Sequence, residues 1–530
     1  MKAILFIYAI LIMDSQAAAD IKHLRVVFDE NPSNSAKIIF TTTGNSNSSY
    51  IYFDENMQNG RFEKYQGKAQ VSQLTKYRGS REYANSVELT KLKANTNYYF
   101  IISLDDVTTK EYYFRTAPGK GASFKLLFGG DSRSDRDKRQ HMNKLLRNVF
   151  EEHDDIYALV HGGDYVANGR SYRQWEKWLS DYRLTTRSDG RLLPIVPTRG
   201  NHETSTQMYN AIFSTPGGSG NYFLTSFGDL ALLTLNTEIN HSGTQRNWLE
   251  ANLNEASKNY LFLAANYHRP AFPAVKTPGK ALTAWVPLFD KYGLDIAFES
   301  DGHALKRTLP IKNGEHHERG TIYVGEGGLG VPLRSPVHGE KWYFQTPGYV
   351  DAVHHIQLLE VKPSGLNYTV VDDQNRIYDS LQIHSKNRNR NIHHLTEAKY
   401  LKNLGTKTCI GFQKGERSPA FHQVCEKKYE QAIELISGDN DQFLLRNKDM
   451  RCLAKSFFRG FYFDRCYSKN VQSFTLQNPQ SDINGFKLTQ NSQKKCLEFE
   501  QSGQIISGAR RFHIKMKGCS SKDSQIFSVF

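Results

Sequence analysis

The chain has 530 residues, too many for one hydrophobic core, so two to four domains are expected. Its hydrophobic content of 39% and aromatic content of 12% can fill several cores and exclude a disordered chain. The net charge of +14 is unevenly spread: residues 386–530 hold 25 Lys and Arg against 13 Asp and Glu, and the remainder is near balance. Net charge is usually a solubility device, but its confinement to one module raises the prospect of an acidic partner for that module.

The N-terminus reads MKAILFIYAILIMDSQAAAD. One Lys, an apolar run from Ala3 to Met13 and small residues at Ala17–Ala19 form the layout of a secretory signal peptide, residues 1–19. The competing reading is a buried first strand. The run is too short to span a bilayer, and no other segment reads as transmembrane, so an exported, soluble mature protein is expected, secreted or periplasmic.

Residues 20–118 read as all-β. Segments such as LRVVF, AKIIFTTT, SYIYFD and NYYFIISL alternate apolar and polar residues and are split by Asn, Gly and Ser. About seven short strands predict a β-sandwich of immunoglobulin-like or fibronectin-like type. Residues 119–385 change character. Strand-like SFKLLFGGD, YALVHGGD, LLPIVPTRGNHE, YLFLAANYHRP and LDIAFESDGH alternate with helical patterns such as DRDKRQHMNKLLRNVFEEH, SYRQWEKWLSDY and TQRNWLEANLNEASK. That alternation predicts an α/β layered domain. Residues 204–220 and 314–342 read as loops that would shape a substrate pocket. Residues 386–404 read as a polar linker.

Residues 405–530 contain an internal repeat. Cys409, Cys452 and Cys496 are spaced by 43 and 44 residues, and each has a second Cys downstream: Cys425, Cys466 and Cys519. Six residues after each second Cys stands a Gln: Gln431, Gln472 and Gln525. Three copies of one unit predict a closed threefold β-structure. Six clustered Cys in an exported chain suggest disulfides; a zinc site is the alternative, though no C-x-x-C pair is present. The segment resembles a ricin-type β-trefoil lectin, whose repeats end in Gln-x-Trp; here Ile433, Phe474 and Phe527 replace the Trp. The resemblance implies the pairings Cys409–Cys425, Cys452–Cys466 and Cys496–Cys519. It also implies a sugar site, for which only Glu498 offers a carboxylate at the matching position. The basic charge suggests an acidic glycan or surface polymer; nothing in the sequence is a nucleic-acid motif.

Five segments of the middle region end an apolar strand with a metal-ligand type. They are GGDSR (Asp131), HGGDY (Asp164), RGNHE (Asn201, His202), ANYHRP (His268) and SDGHALKR (Asp301, His303). Carboxyl ends of strands in an α/β sheet converge on one crevice. Several carboxylates there would repel one another, and divalent cations remove that cost. Mixed Asp, Asn and His donors suit Zn, Mn or Fe better than Ca or Mg. Singly, each residue has a bland reading as a cap, a turn residue or a structural His. The ordered series is far more specific.

That series, over about residues 22–385, resembles the metallophosphoesterase superfamily, and within it the purple acid phosphatases, which follow a fibronectin III-like domain. HALKRT resembles the family's HAYER stretch. The resemblance implies two metal ions, divalent or trivalent. Asp131 and His303 would hold the first, Asn201 and His268 the second, and Asp164 would bridge them. His202 would serve the phosphate as proton donor, and a metal-bound hydroxide would attack phosphorus. Arg133, Arg199 and Arg269 lie beside these motifs and could hold phosphate oxygens, or equally form structural ion pairs.

Three positions depart from the family pattern. The iron-binding Tyr three residues after the bridging Asp is Ala167, and Tyr165 is out of register for it. The His that other members place two residues after the first Asp is Arg133. The first His of GHxH is Asp301, a ligand of harder preference or a non-ligand. The reading is a phosphomonoesterase. A phosphodiesterase or nucleotidase is the alternative of the same chemistry. A secreted carbohydrate- or polyanion-binding protein with a decayed phosphatase domain is the alternative of another class.

Overall fold

The computed structural model describes residues 20–383 except 45–48, 106, 217–219 and 337–340, together with strand segments between 399 and 529. The expected signal peptide lies outside the described residues, as do residues 386–398 of the expected linker.

Strand Ile156–His161 (IYALVH) is buried at every position, as a central strand covered on both faces must be. It pairs in parallel with Phe124–Gly129 on one side and Ile195–Pro197 on the other. Strands His355–Lys362, Gly365–Asp372 and Ile377–Ile383 extend the sheet beyond Phe124–Gly129. At the opposite edge the sheet does not stop. Ile195–Pro197 takes up Ile21–Val27 in parallel through the pair Val27 and Ile195, and Ala36–Thr42, Tyr83–Leu89 and Ser72–Lys76 follow. One ten-stranded sheet therefore joins the N-terminal all-β region to the middle region. A second sheet of the N-terminal region, centred on Ser49–Asp54 and Asn97–Leu104, faces the first across Ile38, Phe40, Ile51, Phe100 and Phe114.

The middle region has its own second sheet. Its seven strands run in the order Phe223–Phe227, Leu230–Thr234, Phe262–Tyr267, Ile296–Glu299, Ile322–Gly325, Leu305–Arg307, Tyr349–Asp351. The two sheets share one apolar core, where Leu126, Phe128 and Val160 meet Leu232, Ala264 and Phe298. Phe128 and Phe298 stack with ring centroids 3.5 Å apart.

Helices cover the outer faces. Helix Arg136–Glu152 starts where Asp135 accepts the Lys138 backbone N–H, and buries Met142, Leu145, Leu146, Val149 and Phe150 at helical spacing. Tyr172–Tyr182 packs in the same cluster. Thr206–Phe213, within the stretch read as loop, is also a helix there; Ser205 caps it, and Met208, Tyr209, Ile212 and Phe213 are buried. Thr244–Asn259 and Val286–Tyr292 cover the second sheet. The middle region is thus four layers, helix, sheet, sheet and helix. Among the described residues no helix is long and apolar enough to cross a membrane.

The described strands from Lys399 to Val529 number twelve and form one pairing network. They repeat with the sequence. Cys409, Cys452 and Cys496 each stand second in the first strand of a hairpin: Thr408–Phe412 with Ala420–Val424, Arg451–Ser456 with Gly460–Arg465, and Lys495–Ile506 with Ala509–Gly518. This arrangement resembles a trefoil. Its first strand, Lys399–Asn403, lies inside the expected linker 386–404, which therefore ends earlier: those residues pair with Thr408–Phe412, Ala432–Ser437 and Phe527–Val529. Cys409 and Cys496 each take part in a disulfide. Cys425, Cys466 and Cys519 lie outside the described residues, as do the side chains of Cys452 and Glu498.

Phe128→Ala should lower stability by about 3–5 kcal/mol, because it opens a cavity where the two sheets meet. Denaturant midpoints check this; a loss below about 1 kcal/mol would show that the sheets do not depend on this contact.

Candidate metal centre

The predicted site residues follow the carboxyl ends of strands in both sheets. Asp131, Asp164, Asn201 and His202 come from the first sheet; His268, Asp301 and His303 come from the second. The chain turns sharply at four of them. Asp131, Asp164, Asp301 and His303 have φ of 55°, 58°, 67° and 62°, in the left-handed region that non-glycine residues seldom adopt. The surrounding backbone holds these turns. Asp131 N–H donates to Gly163 O, and Ser132 and Arg133 N–H donate to Asp164 O. A glycine-rich strap follows Ile322–Gly325. Gly328 and Leu329 N–H donate to Gly130 O, and Val331 N–H to Asp131 O. A β-carbon on Gly327 would overlap the Asp131 carboxylate, and Gly327 also sits at positive φ.

The side chains converge. Carboxylate oxygens of Asp131 and Asp164 and a ring nitrogen of His268, all buried, lie within 4.8 Å of one another. His268 donates Nδ1–H to Gly162 O at 2.9 Å, so its Nε2 faces the crevice. That nitrogen lies 2.9 Å from Asn201 Oδ1, 3.3 Å from Asp164 Oδ1 and 3.6 Å from Asp301 Oδ1. His303 is set the same way: Nδ1–H donates to Pro332 O, and Nε2 lies 3.4 Å from Asp131 Oδ1. Asp131 Oδ2 accepts the Asp301 N–H, while the buried Asp131 Oδ1 has no hydrogen-bond donor among the described residues.

These donors fit a cation. A neutral imidazole nitrogen and three oxygens that close on one point are all acceptors, and an unpartnered buried carboxylate oxygen is costly. The alternative is a proton. Burial opposes charge on His268, but Asp164 and then Asp301 outweigh it and hold its pKa well above the ordinary imidazole value. Burial likewise opposes charge on Asp164, and His268 and the His202 N–H draw its pKa down.

Two cations already stand in the crevice. Lys276 Nζ donates to Asp301 Oδ1 at 2.5 Å. Arg133 Nε donates to Asp164 Oδ2 at 3.0 Å, and its Nη2 lies 3.4 Å from His303 Nε2. His202 donates Nδ1–H to Ala167 O, leaving Nε2 3.8 Å from Asp164 Oδ2 on a side chain that is 29% exposed. The other two predicted arginines are committed elsewhere. Arg199 is buried and donates to Glu203 O and Thr206 Oγ1. Arg269 forks onto Glu238 at 2.8 and 3.2 Å. Tyr165 is fully buried against His161, Trp175, Trp178 and Phe213, away from the ligand cluster.

Further supports carried no role in the sequence reading. Glu203 accepts the backbone N–H of Asp164, Tyr165 and Gly200, tying two ligand loops together. Burial, with the Asp164 charge, pushes its pKa up to about 8. Beneath Asp301 and His303, the fully buried Lys306 bridges Glu299 and Glu326 and donates to Phe272 O. Burial, against the pull of Lys306, pushes Glu326 up to about 7. The text offered one clue, a charged residue closing the apolar strand LDIAFE.

Residues 124–305 match the calcineurin-like phosphoesterase family model, and residues 21–116 match that of the purple acid phosphatase N-terminal domain. The core is a metallophosphoesterase-like domain. Acid phosphatase type 7 of Mus musculus is 26% identical over 291 residues, 48% of this chain and 63% of that protein. Purple acid phosphatase 15 of Arabidopsis thaliana is 24% identical over 310 residues, 48% of this chain and 56% of that protein. The chain thus spans about three-fifths of the length of these relatives. A purple acid phosphatase from yellow lupin seeds shares the fold at TM-score 0.59 and 15% identity, covering 69% of this chain and 74% of that one.

His161 lies under the Asp164 loop. Its Nδ1 accepts the Gly163 N–H and its Nε2–H donates to Ser132 Oγ, so the neutral ring is the one built in. Burial, with His268 nearby, lowers its pKa to about 3. Its stabilising contribution is complete above the unfolded value near 6.5 and is lost as pH falls toward 3. At pH 5 the loss is about 2 kcal/mol. Between pH 7 and 5 the wild type should therefore lose more stability than His161→Gln, measured by denaturation at each pH. Parallel losses would remove His161 as the source.

Proposed function

We propose that the chain is an exported, metal-dependent phosphoesterase that hydrolyses phosphate monoesters. The observation that carries this reading is the convergence of Asp131, Asp164, Asn201, His268, Asp301 and His303 on one buried crevice, with imidazole nitrogens facing carboxylates. A metal ion held by these groups would polarise a phosphoryl oxygen and acidify a water. The chain's own residues do the rest. Arg133 and Lys276 offer N–H donors and positive charge at the crevice, which suits a dianionic monoester better than a monoanionic diester. His202, oriented by its Nδ1–H bond to Ala167 O, turns Nε2 toward the crevice, where it would serve the leaving oxygen.

The C-terminal module is, on this reading, a ricin-type β-trefoil that holds the enzyme on a glycan or acidic polymer. Its triplicated Cys–Cys–Gln text, its four strands per repeat and its basic charge support this. The expected intra-repeat disulfides and the Glu498 sugar site belong to the same proposal. Export rests on the leader-like residues 1–19.

A second reading draws on Arg133 and Lys276, which already pair with Asp164 and Asp301: a decayed phosphatase domain carried by a binding protein. Asp164→Asn separates the two. On the enzymatic reading, the wild type retains metal through gel filtration and hydrolyses an aryl phosphate. The variant should lose retained metal, and its activity should fall by more than the 10–100-fold typical of an outer-shell partner. A metal-free, inactive wild type that still binds a glycan array would establish the second reading instead.

A further inference from the structure

The crevice is not symmetrical. On one side, Asp164 Oδ1, Asn201 Oδ1 and Asp301 Oδ1 gather around His268 Nε2 within 3.6 Å, with Asp131 close by. That is a sufficient donor set for one ion of the Zn or Mn kind. On the other side, the donors are Asp164 Oδ2, His303 Nε2 and, 3.4 Å from that nitrogen, Asp131 Oδ1, and the Arg133 guanidinium contacts the first two of them.

Arg133 is held there. Its Nε donates to Asp164 Oδ2 at 3.0 Å, its Nη1 to Ser134 Oγ at 3.0 Å, and its Nη2 meets the lone pair of His303 at 3.4 Å. Its backbone N–H donates to Asp164 O, and its side chain is only 14% exposed. A guanidinium has no lone pair to offer a metal and keeps its proton throughout the accessible pH range. It therefore acts as a fixed cation and cannot be a ligand.

The charge of the crevice leads to the same conclusion. Three carboxylates, those of Asp131, Asp164 and Asp301, face two fixed cations, Arg133 and Lys276. One divalent ion leaves the crevice with a single positive charge. Two divalent ions would leave a triply positive cluster in a buried setting, beside a guanidinium that repels the second of them.

We propose that the site takes one metal ion, on the His268 side, and that the Arg133 guanidinium occupies the place of a second. This rests on the metallohydrolase reading above and narrows it: the guanidinium, and not a second ion, would meet the phosphoryl oxygens on the His303 side.

The test counts ions. The full chain is loaded with Mn(II), freed of excess by gel filtration, and measured by plasma mass spectrometry and electron paramagnetic resonance. One ion per chain, with the six-line spectrum of isolated Mn(II), is expected. Two ions per chain with an exchange-coupled spectrum would overturn the single-ion proposal while leaving the metallohydrolase reading intact. No bound ion would overturn both. Arg133→His removes the fixed charge and adds a donor beside His303, so its count should rise from one to two. A folded variant that still holds one ion would refute the guanidinium as the cause; if this variant does not fold, the wild-type count decides alone.

Discussion

Three carboxylates buried in one crevice repel one another, and the surrounding structure is arranged to offset that repulsion. Asp131, Asp164 and Asp301 are each almost fully buried. Backbone N–H groups answer part of the charge: Asp301 N on Asp131, His202 N on Asp164. Arg133 and Lys276 answer more. The same crevice stores backbone strain, since four of its residues turn through the left-handed region. Neither cost would be sustained on a loose loop. Here each turn leaves a buried strand and is tied to its neighbour by Glu203 or by the glycine-rich strap.

How legible was this in the text? The strand ends were, because an apolar run that stops at Asp or His has few bland explanations when repeated five times. The long helices were, because their apolar faces recur at helical spacing. The helix Thr206–Phe213 was not. It is eight residues long and is followed at once by Ser, Thr, Pro and Gly, so its neighbours read as loop, and burial beside Tyr165 and Trp175 supplies what propensity does not. Lys399–Asn403 read as linker because its partners lie up to 128 residues away, where local pattern cannot see them.

Within the site, position was legible and contact was not. Arg133 could be seen to stand where a ligand is expected, but not that it would reach across to His303, 170 residues on. Lys276 sits in AVKTPGK with nothing to mark it; only the odd Asp301 hinted that a counter-charge had to come from somewhere. Glu203 was visible within GNHE, yet its task is to accept three backbone N–H groups, and side-chain chemistry does not announce that. The arginines illustrate the converse. Adjacency to a motif suggested phosphate binding for Arg199 and Arg269, and the fold gives both of them other partners.

The cluster also explains why the two sheets must be held so firmly. Asp131, Asp164 and Asn201 leave the first sheet, while His268, Asp301 and His303 leave the second. Every contact between these sets crosses from one sheet to the other: His268 to Asp164, His303 to Asp131, Arg133 to His303. A slide of one sheet by even an ångström would part donors that now stand about 3 Å apart. The stacked Phe128 and Phe298 and the apolar residues around them fix that spacing from below. The first sheet is fixed further by continuing into the N-terminal strands, so Ile195–Pro197, which leads to Asn201, is not an edge. Charge at the mouth and apolar packing beneath it are therefore one device: the core sets a distance, and that distance decides which cation the carboxylates can share.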